Sequence, residues 1–176
     1  MKNKLLFLVL SGLFFMVGCN ATDKYETTEF DGVFEIDLPS YFTKADLDNE
    51  DAIMQYGNLL KEFYAMMIYE PQVDLIEIKE NYSLADYADF NLQNIKASLM
   101  HPKVQRVSSF TKVNGADCIA YKIWGLFPEI NEEMFYYLTI FKTDLNFYSF
   151  HTWTMASQES KHINTMEKMI TSFKEL

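Results

Sequence analysis

Residues 134–142 read MFYYLTIFK, and in an extended chain successive side chains alternate between the two faces of a sheet. Met134, Tyr136, Leu138 and Ile140 then fall on one face, and Phe135, Tyr137 and Phe141 on the other. A strand that is apolar on both faces needs cover on both, so a sheet with one side open to water is excluded. The segments on either side have the same character. Residues 116–127 and 147–154 (FYSFHTWT) read as strands, and Asn114-Gly115 is a strong type I′ hairpin signal. Residues 104–113 complete the hairpin, which predicts a β-meander through the second half of the chain.

Two helices and the longer first half of the chain can supply cover. Residues 83–100 open on Ser83 with Asp86 three positions on, an arrangement that caps a helix start. Leu84, Tyr87, Ala88, Ile95 and Leu99 share one face, with Asp86, Asp89, Gln93 and Lys96 on the wet side, and Pro102 ends the element. Near the C-terminus Ser157 is positioned to cap a second helix with Ile163, Met166, Met169, Ile170 and Phe173 as its apolar stripe. In the first half, residues 33–38 (VFEIDL) and 61–69 (KEFYAMMIY) read as strands, 52–56 as a short one, and 72–80 as either strand or helix. The acidic stretch 45–51 reads as a solvated loop. The fold class expected is α+β, an antiparallel sheet flanked by helices, formed by one domain over residues 30–176. With 49% hydrophobic and 16% aromatic residues in 176, the chain has ample material for that core.

The first 19 residues carry an address. Lys2 and Lys4 precede a 13-residue apolar run from Leu5 to Val17, within the ~7–15 of a signal-peptide core and short of the ~20 that span a bilayer. Met16-Val17-Gly18-Cys19 resembles a bacterial lipobox, with Met16 standing where Leu is usual. The resemblance implies cleavage between Gly18 and Cys19 and a diacylglyceryl group on the Cys19 sulfur. Residues 1–18 would then be a lipoprotein signal peptide, and 19–29 an acylated tether, polar and without hydrophobic period. The ten residues 20–29 reach at most ~33–36 Å. Asn20 is not the Asp that retains some lipoproteins at an inner membrane, which favours the outer membrane. The net charge of −10 becomes −12 once Lys2 and Lys4 are removed, which argues against nucleic acid and for a body that stands off anionic lipid. With Cys19 acylated, Cys118 has no disulfide partner and reads as a small buried hydrophobe.

The sequence specifies no reaction. It contains no GxSxG elbow, P-loop or dinucleotide glycine pattern. His101, His151 and His162 lack metal-ligand spacing, and Asp46, Asp48, Glu50 and Asp51 fail a calcium loop because Asp51 stands where Gly is needed. No cofactor or metal is implied. The aromatics Trp124, Phe127, Phe135, Tyr136, Tyr137, Phe147, Tyr148, Phe150 and Trp153 are expected mostly in the core, with some available to line a pocket or protein-binding patch.

FEIDLPSYF as first strand, SLADYADFNLQNI opening a helix, the Asn-Gly hairpin, an aromatic strand pair and a final helix ending ITSFKEL together resemble the PsbP/Mog-like fold, shared by several small bacterial lipoproteins. The resemblance implies an adaptor, assembly factor or accessory subunit and assigns no contact residue. The function expected is therefore a membrane-anchored, non-catalytic protein-binding module of the cell envelope, with a membrane lipid partner through Cys19 and a protein partner besides. The alternatives are a carrier of a small apolar ligand in an aromatic pocket of at least ~300 Å³, and a hydrolase built on an unrecognised carboxylate pair.

Overall fold

The structure, a computed structural model, describes residues 23–75 and 82–176. The expected signal peptide 1–18, Cys19, and residues 76–80 of the ambiguous segment lie outside the described residues. Eleven strands and three helices follow in the order β1 (Tyr25–Phe30), β2 (Phe34–Pro39), β3 (Thr43–Lys44), β4 (Ala52–Asn58), β5 (Phe63–Pro71), α1 (Gln72–Leu75), α2 (Leu84–Ala97), β6 (Met100–Val107), β7 (Lys112–Val113), β8 (Ala116–Phe127), β9 (Glu132–Lys142), β10 (Asn146–Met155), α3 (Glu159–Ser172) and β11 (Lys174–Glu175). The large antiparallel sheet has the order β3-β4-β5-β10-β9-β8-β6, with β7 paired to β8, and a small sheet has the order β1-β2-β11. This is the expected α+β class. The meander β8-β9-β10 forms as predicted, and β5 pairs along the far side of β10.

Asn114 and Gly115 turn with φ of 46° and 98°, the paired positive values of a type I′ turn. The Asn114 amide also donates to the carbonyls of Phe173 at 2.8 Å and Thr171 at 3.2 Å. One side chain thereby serves the hairpin and accepts the load of the otherwise unsatisfied C-terminal carbonyls of α3. At the start of α2 the Ser83 hydroxyl accepts from Asp86 N, and the Asp86 carboxylate accepts from Ser83 N at 3.0 Å, a reciprocal cap.

Both faces of β9 are buried, with Phe135, Tyr137 and Phe141 on one side and Met134, Leu138 and Ile140 on the other. The covers are the two helices together with part of the first half of the chain. One face lies under α3 together with the small sheet, whose Phe30, Phe34 and Ile36 enter that core. The other lies under α2, through Tyr87, Ala88, Leu92, Ile95 and Leu99.

Four boundaries differ from the expectation. Residues 25–29, read as tether, belong to strand β1, which pairs with β2 along its whole length. Asp31 and Gly32 between them have φ of 49° and 70°, and Val33 N donates to Phe30 O at 2.8 Å. This is a second type I′ turn, closed by Phe30 stacked on Phe34 at 4.9 Å. The segment 104–113 divides into β6 and β7 rather than running as one strand. Pro102 lies inside β6, not at the helix end. It sits at an irregularity in register between Met100 and Lys103 on the sheet edge, where a missing N–H costs no ladder bond. Ser157 does not cap α3, which is led in by a 3₁₀ turn at Ala156–Gln158 and starts on Gln158 without a side-chain bond.

Candidate functional site

Trp153 of β10 stands opposite Tyr64 of β5 on one side and Tyr136 of β9 on the other. Their rings lie nearly parallel, Tyr64 to Trp153 at 5.6 Å and 22°, Tyr136 to Trp153 at 6.1 Å and 24°. The result is a row of three stacked rings across three strands, on the sheet face that carries α2. That helix packs on β8, β9 and β10 and leaves this end of the face without a roof. Gly57 of β4 permits the arrangement. A Cβ there would come 2.5 Å from the Tyr64 ring, so only glycine lets the tyrosine lie flat beside its neighbour.

Around the row lies a half-open groove of about 480 Å³. Met66, Met134, Met155, Phe127 and Leu47 line it, and the exposed Leu59 and Ile130 stand on its rim. Methionine is unbranched and polarisable, so such walls adapt to the shape of an occupant. The three rings are half-buried. Burial raises the pKa of Tyr64 and Tyr136, with Glu62 adding to the effect on Tyr64. Both therefore present neutral hydroxyls at any ordinary pH.

The polar groups of the groove are few. His151 contacts the Ser149 hydroxyl through Nε2 at 2.6 Å, and Ser149 Oγ donates to Asn91 Oδ1 at 2.8 Å. Asn91 in turn donates from Nδ2 to the Tyr87 carbonyl within α2. A serine beside a histidine invites comparison with a nucleophile and its base. The geometry contradicts that role. Ser149 is fully buried, beyond the reach of any substrate, and its one proton goes to an amide that belongs to the roof helix. Burial holds the His151 imidazole down at about 4, so at neutral pH it is uncharged. This chain of bonds anchors α2 to β10 and sets the inner limit of the groove.

The two carboxylates among the residues that line the groove, Asp48 and Glu62, are both exposed to solvent. Among the described residues no group of three or more His, Cys, Asp or Glu side chains could hold a metal ion. The acidic loop at 45–51 spends its side chains on its own backbone, Asp46 accepting from Asp48 N and Asn49 from Asp51 N.

Of the aromatics singled out from sequence, Phe127, Tyr136 and Trp153 line the groove, while Phe135, Tyr137, Phe147, Tyr148 and Phe150 are core. Trp124 is half-buried against α3 and donates from Nε1 to Glu159 at 2.8 Å. Tyr64 was missed, although its place beside Gly57 across a hairpin is the kind of cross-strand pair that builds such a platform. Cys118 is a free thiol, buried and pushed up to about 12 by desolvation, which makes it inert. His162 is buried with Nε2 unpartnered and its ring stacked on Phe63 at 4.5 Å. His101 is exposed in the irregular start of β6.

No protein-family model matches the chain, and no curated protein sequence does. Solved structures do. The yeast Ran-binding protein Mog1p superposes with a TM-score of 0.60 at 9% identity, covering 87% of this chain and 96% of its own. The cyanobacterial PsbP of Synechocystis gives 0.54 at 9% identity, covering 94% and 100%. LpqN of Mycobacterium tuberculosis, described as involved in cell envelope biogenesis, gives 0.55 at 7% identity, covering 88% and 87%. At such identities the likeness shows the fold, which is the PsbP/Mog-like fold that the sequence resembles.

Proposed function

We propose that this chain is a non-catalytic binding module of the bacterial cell envelope, held to a membrane through lipid on Cys19, that receives an apolar portion of a protein partner in the Tyr64–Trp153–Tyr136 groove. The observation that carries the reading is the row of three stacked rings, half-exposed and walled by methionines, on the part of the sheet that α2 leaves uncovered. Tyr, Trp and Met are the side chains that interfaces concentrate. Mog1p binds Ran and LpqN is involved in cell envelope biogenesis, which agree in kind with a binding role in an envelope. The lipobox-like Val17-Gly18-Cys19 supports the anchor, and Asn20 favours the outer membrane.

A photo-crosslinking residue in place of Tyr64, in the full chain expressed in a bacterium, tests the groove. One partner is expected, absent when the same residue replaces Lys168 on α3 and absent when Trp153→Glu accompanies it. Equal capture from both positions would overturn the groove as the site. Fractionation of Cys19→Ala tests the anchor, with release into the soluble fraction expected.

A second reading, a carrier of a small apolar ligand, is favoured by one observation. The groove volume of about 480 Å³ falls within the ~300–1,000 Å³ of small-molecule sites. Native mass spectrometry of the purified protein would show a bound mass that Trp153→Glu removes.

A further inference from the structure

The turn between β4 and β5 presents two leucines to solvent. Leu59 is 78% exposed and Leu60 96%. They are held there by design of the backbone rather than by slack. Asn58 Oδ1 accepts from Lys61 N at 3.0 Å while its Nδ2 donates to the Tyr41 carbonyl at 2.8 Å, and Glu62 closes the 3₁₀ turn in the left-handed region at φ 50°. Neither leucine belongs to a buried apolar cluster, so holding both in water adds nothing to the core. Leu59 also stands on the groove rim with Ile130, itself 52% exposed.

The N-terminal arm leaves the body at the same place. Asp23, the first described residue, accepts from Thr165 Oγ1 at 3.0 Å and from the Tyr41 hydroxyl at 3.3 Å. Lys61 Nζ sits 4.2 Å above the Tyr41 ring. Two side-chain contacts thus separate the start of the arm from the leucine turn. Because β1 begins at Tyr25, the arm is much shorter than residues 19–29 suggested. From Cys19 to Asp23 the chain spans four residues, at most ~14 Å when extended. A lipid surface that holds Cys19 therefore lies within that distance of Asp23, and the leucine turn is beside it.

We infer that Leu59 and Leu60 form a shallow contact with the lipid surface that holds Cys19, seating the body on the membrane instead of leaving it to swing on its arm. The inference rests on the acylation of Cys19 proposed above and adds to it an orientation, with the groove rim toward the bilayer. The turn carries Lys61 and Glu62 and the arm Asp23 and Lys24, while Asp48 adds an acid on the groove rim, so the contact is expected with zwitterionic rather than anionic headgroups. The hairpin between β9 and β10 at the opposite end exposes Leu145 at 71%, and no arm leaves from it. It supplies the control.

The test uses the full-length protein, extracted with its native N-terminus and reconstituted in phosphatidylcholine vesicles. A nitroxide is placed at Leu60→Cys or at Leu145→Cys, Cys118 being buried, and the mass of the N-terminal peptide reports acylation. With Cys19 acylated, the label at position 60 is expected to be severalfold less accessible to a water-soluble nickel chelate than the label at 145, and more accessible to oxygen. Acylated protein with both labels equally open to the chelate would overturn the contact and leave the anchor standing. An unmodified Cys19 on protein that stays in water would overturn the anchor and the contact together.

Discussion

Residues at odd separation along β9 and β10 meet opposite fates on the two faces of the large sheet. Phe135 and Phe150 are fully buried beneath α3 and the small sheet, while Tyr136 and Trp153, of similar size and apolar area, remain half-exposed. Alternation alone places such pairs on opposite faces; the roof then decides which of them become core. On the first face two separate elements share the work, and they are tied down at their ends. Glu175 of β11 accepts on one oxygen from Thr143 at 2.8 Å, Asn146 at 2.8 Å and Tyr148 at 2.7 Å, and Asn114 holds the end of α3. On the second face the cover among the described residues is the 14-residue helix α2, with Leu75 of α1 beside it, and Tyr64 and Trp153 stay half-exposed. A groove is what a large apolar face leaves when its cover is too small.

The sharpest way to break this comparison is to delete one ring from each face. Phe150→Ala should cost about 3–5 kcal/mol of unfolding free energy, whereas Trp153→Ala should cost under half of that in chemical denaturation and abolish capture of the partner. Equal stability losses would mean that the groove is core. Glu175→Ala comes next. Three donors lose a charged acceptor at the latch of the better-covered face, a loss of about 2 kcal/mol that thermal unfolding would register, with the groove intact by partner capture.

The third experiment varies pH. Desolvation lowers His151 from 6.5 to about 4 and also lowers His162. Between those values the unfolded chain binds more protons than the folded one, so stability rises with pH through this window and is complete above it. On acidification from pH 6.5 to 4 His151 adds a slope of at most ~1.4 kcal/mol per pH unit. His151→Asn should flatten that decline relative to the parent protein, and an unchanged slope would show that the histidine is open to water at the groove floor. The smallest effect is expected at the start of α2. Ser83→Ala removes its cap at a cost of about 1 kcal/mol, and hydrogen exchange should then rise along α2 more than along α3.

Much of this architecture is legible in the residues. The Asn114-Gly115 pair locates a turn that the backbone confirms, Ser83 and Asp86 locate a helix start, and 116–127 matches β8 at both ends. Asp31-Gly32 carried an equal signal, but the polar run before it disguised β1, whose inward positions are few. The helix start near Ser157 was misplaced because a 3₁₀ turn occupies the capping position. Of the candidate site, the aromatic strand pair was visible and the division between core and groove was not, since Tyr136 and Tyr137 are the same residue type in adjacent positions.

The sequence by itself determined the local events: where strands alternate, where the chain reverses with two positive φ values, and which helix face is apolar. These depend on neighbours a few residues away and on the intrinsic preferences of each side chain. Tertiary structure decided the rest. That β5 pairs with β10, that β1 joins the small sheet, and that α2 stops short of Tyr64 and Trp153 are outcomes of area and fit among elements far apart in the chain. The groove, and the meeting of the N-terminal arm with the leucine turn, exist only because of those long-range choices.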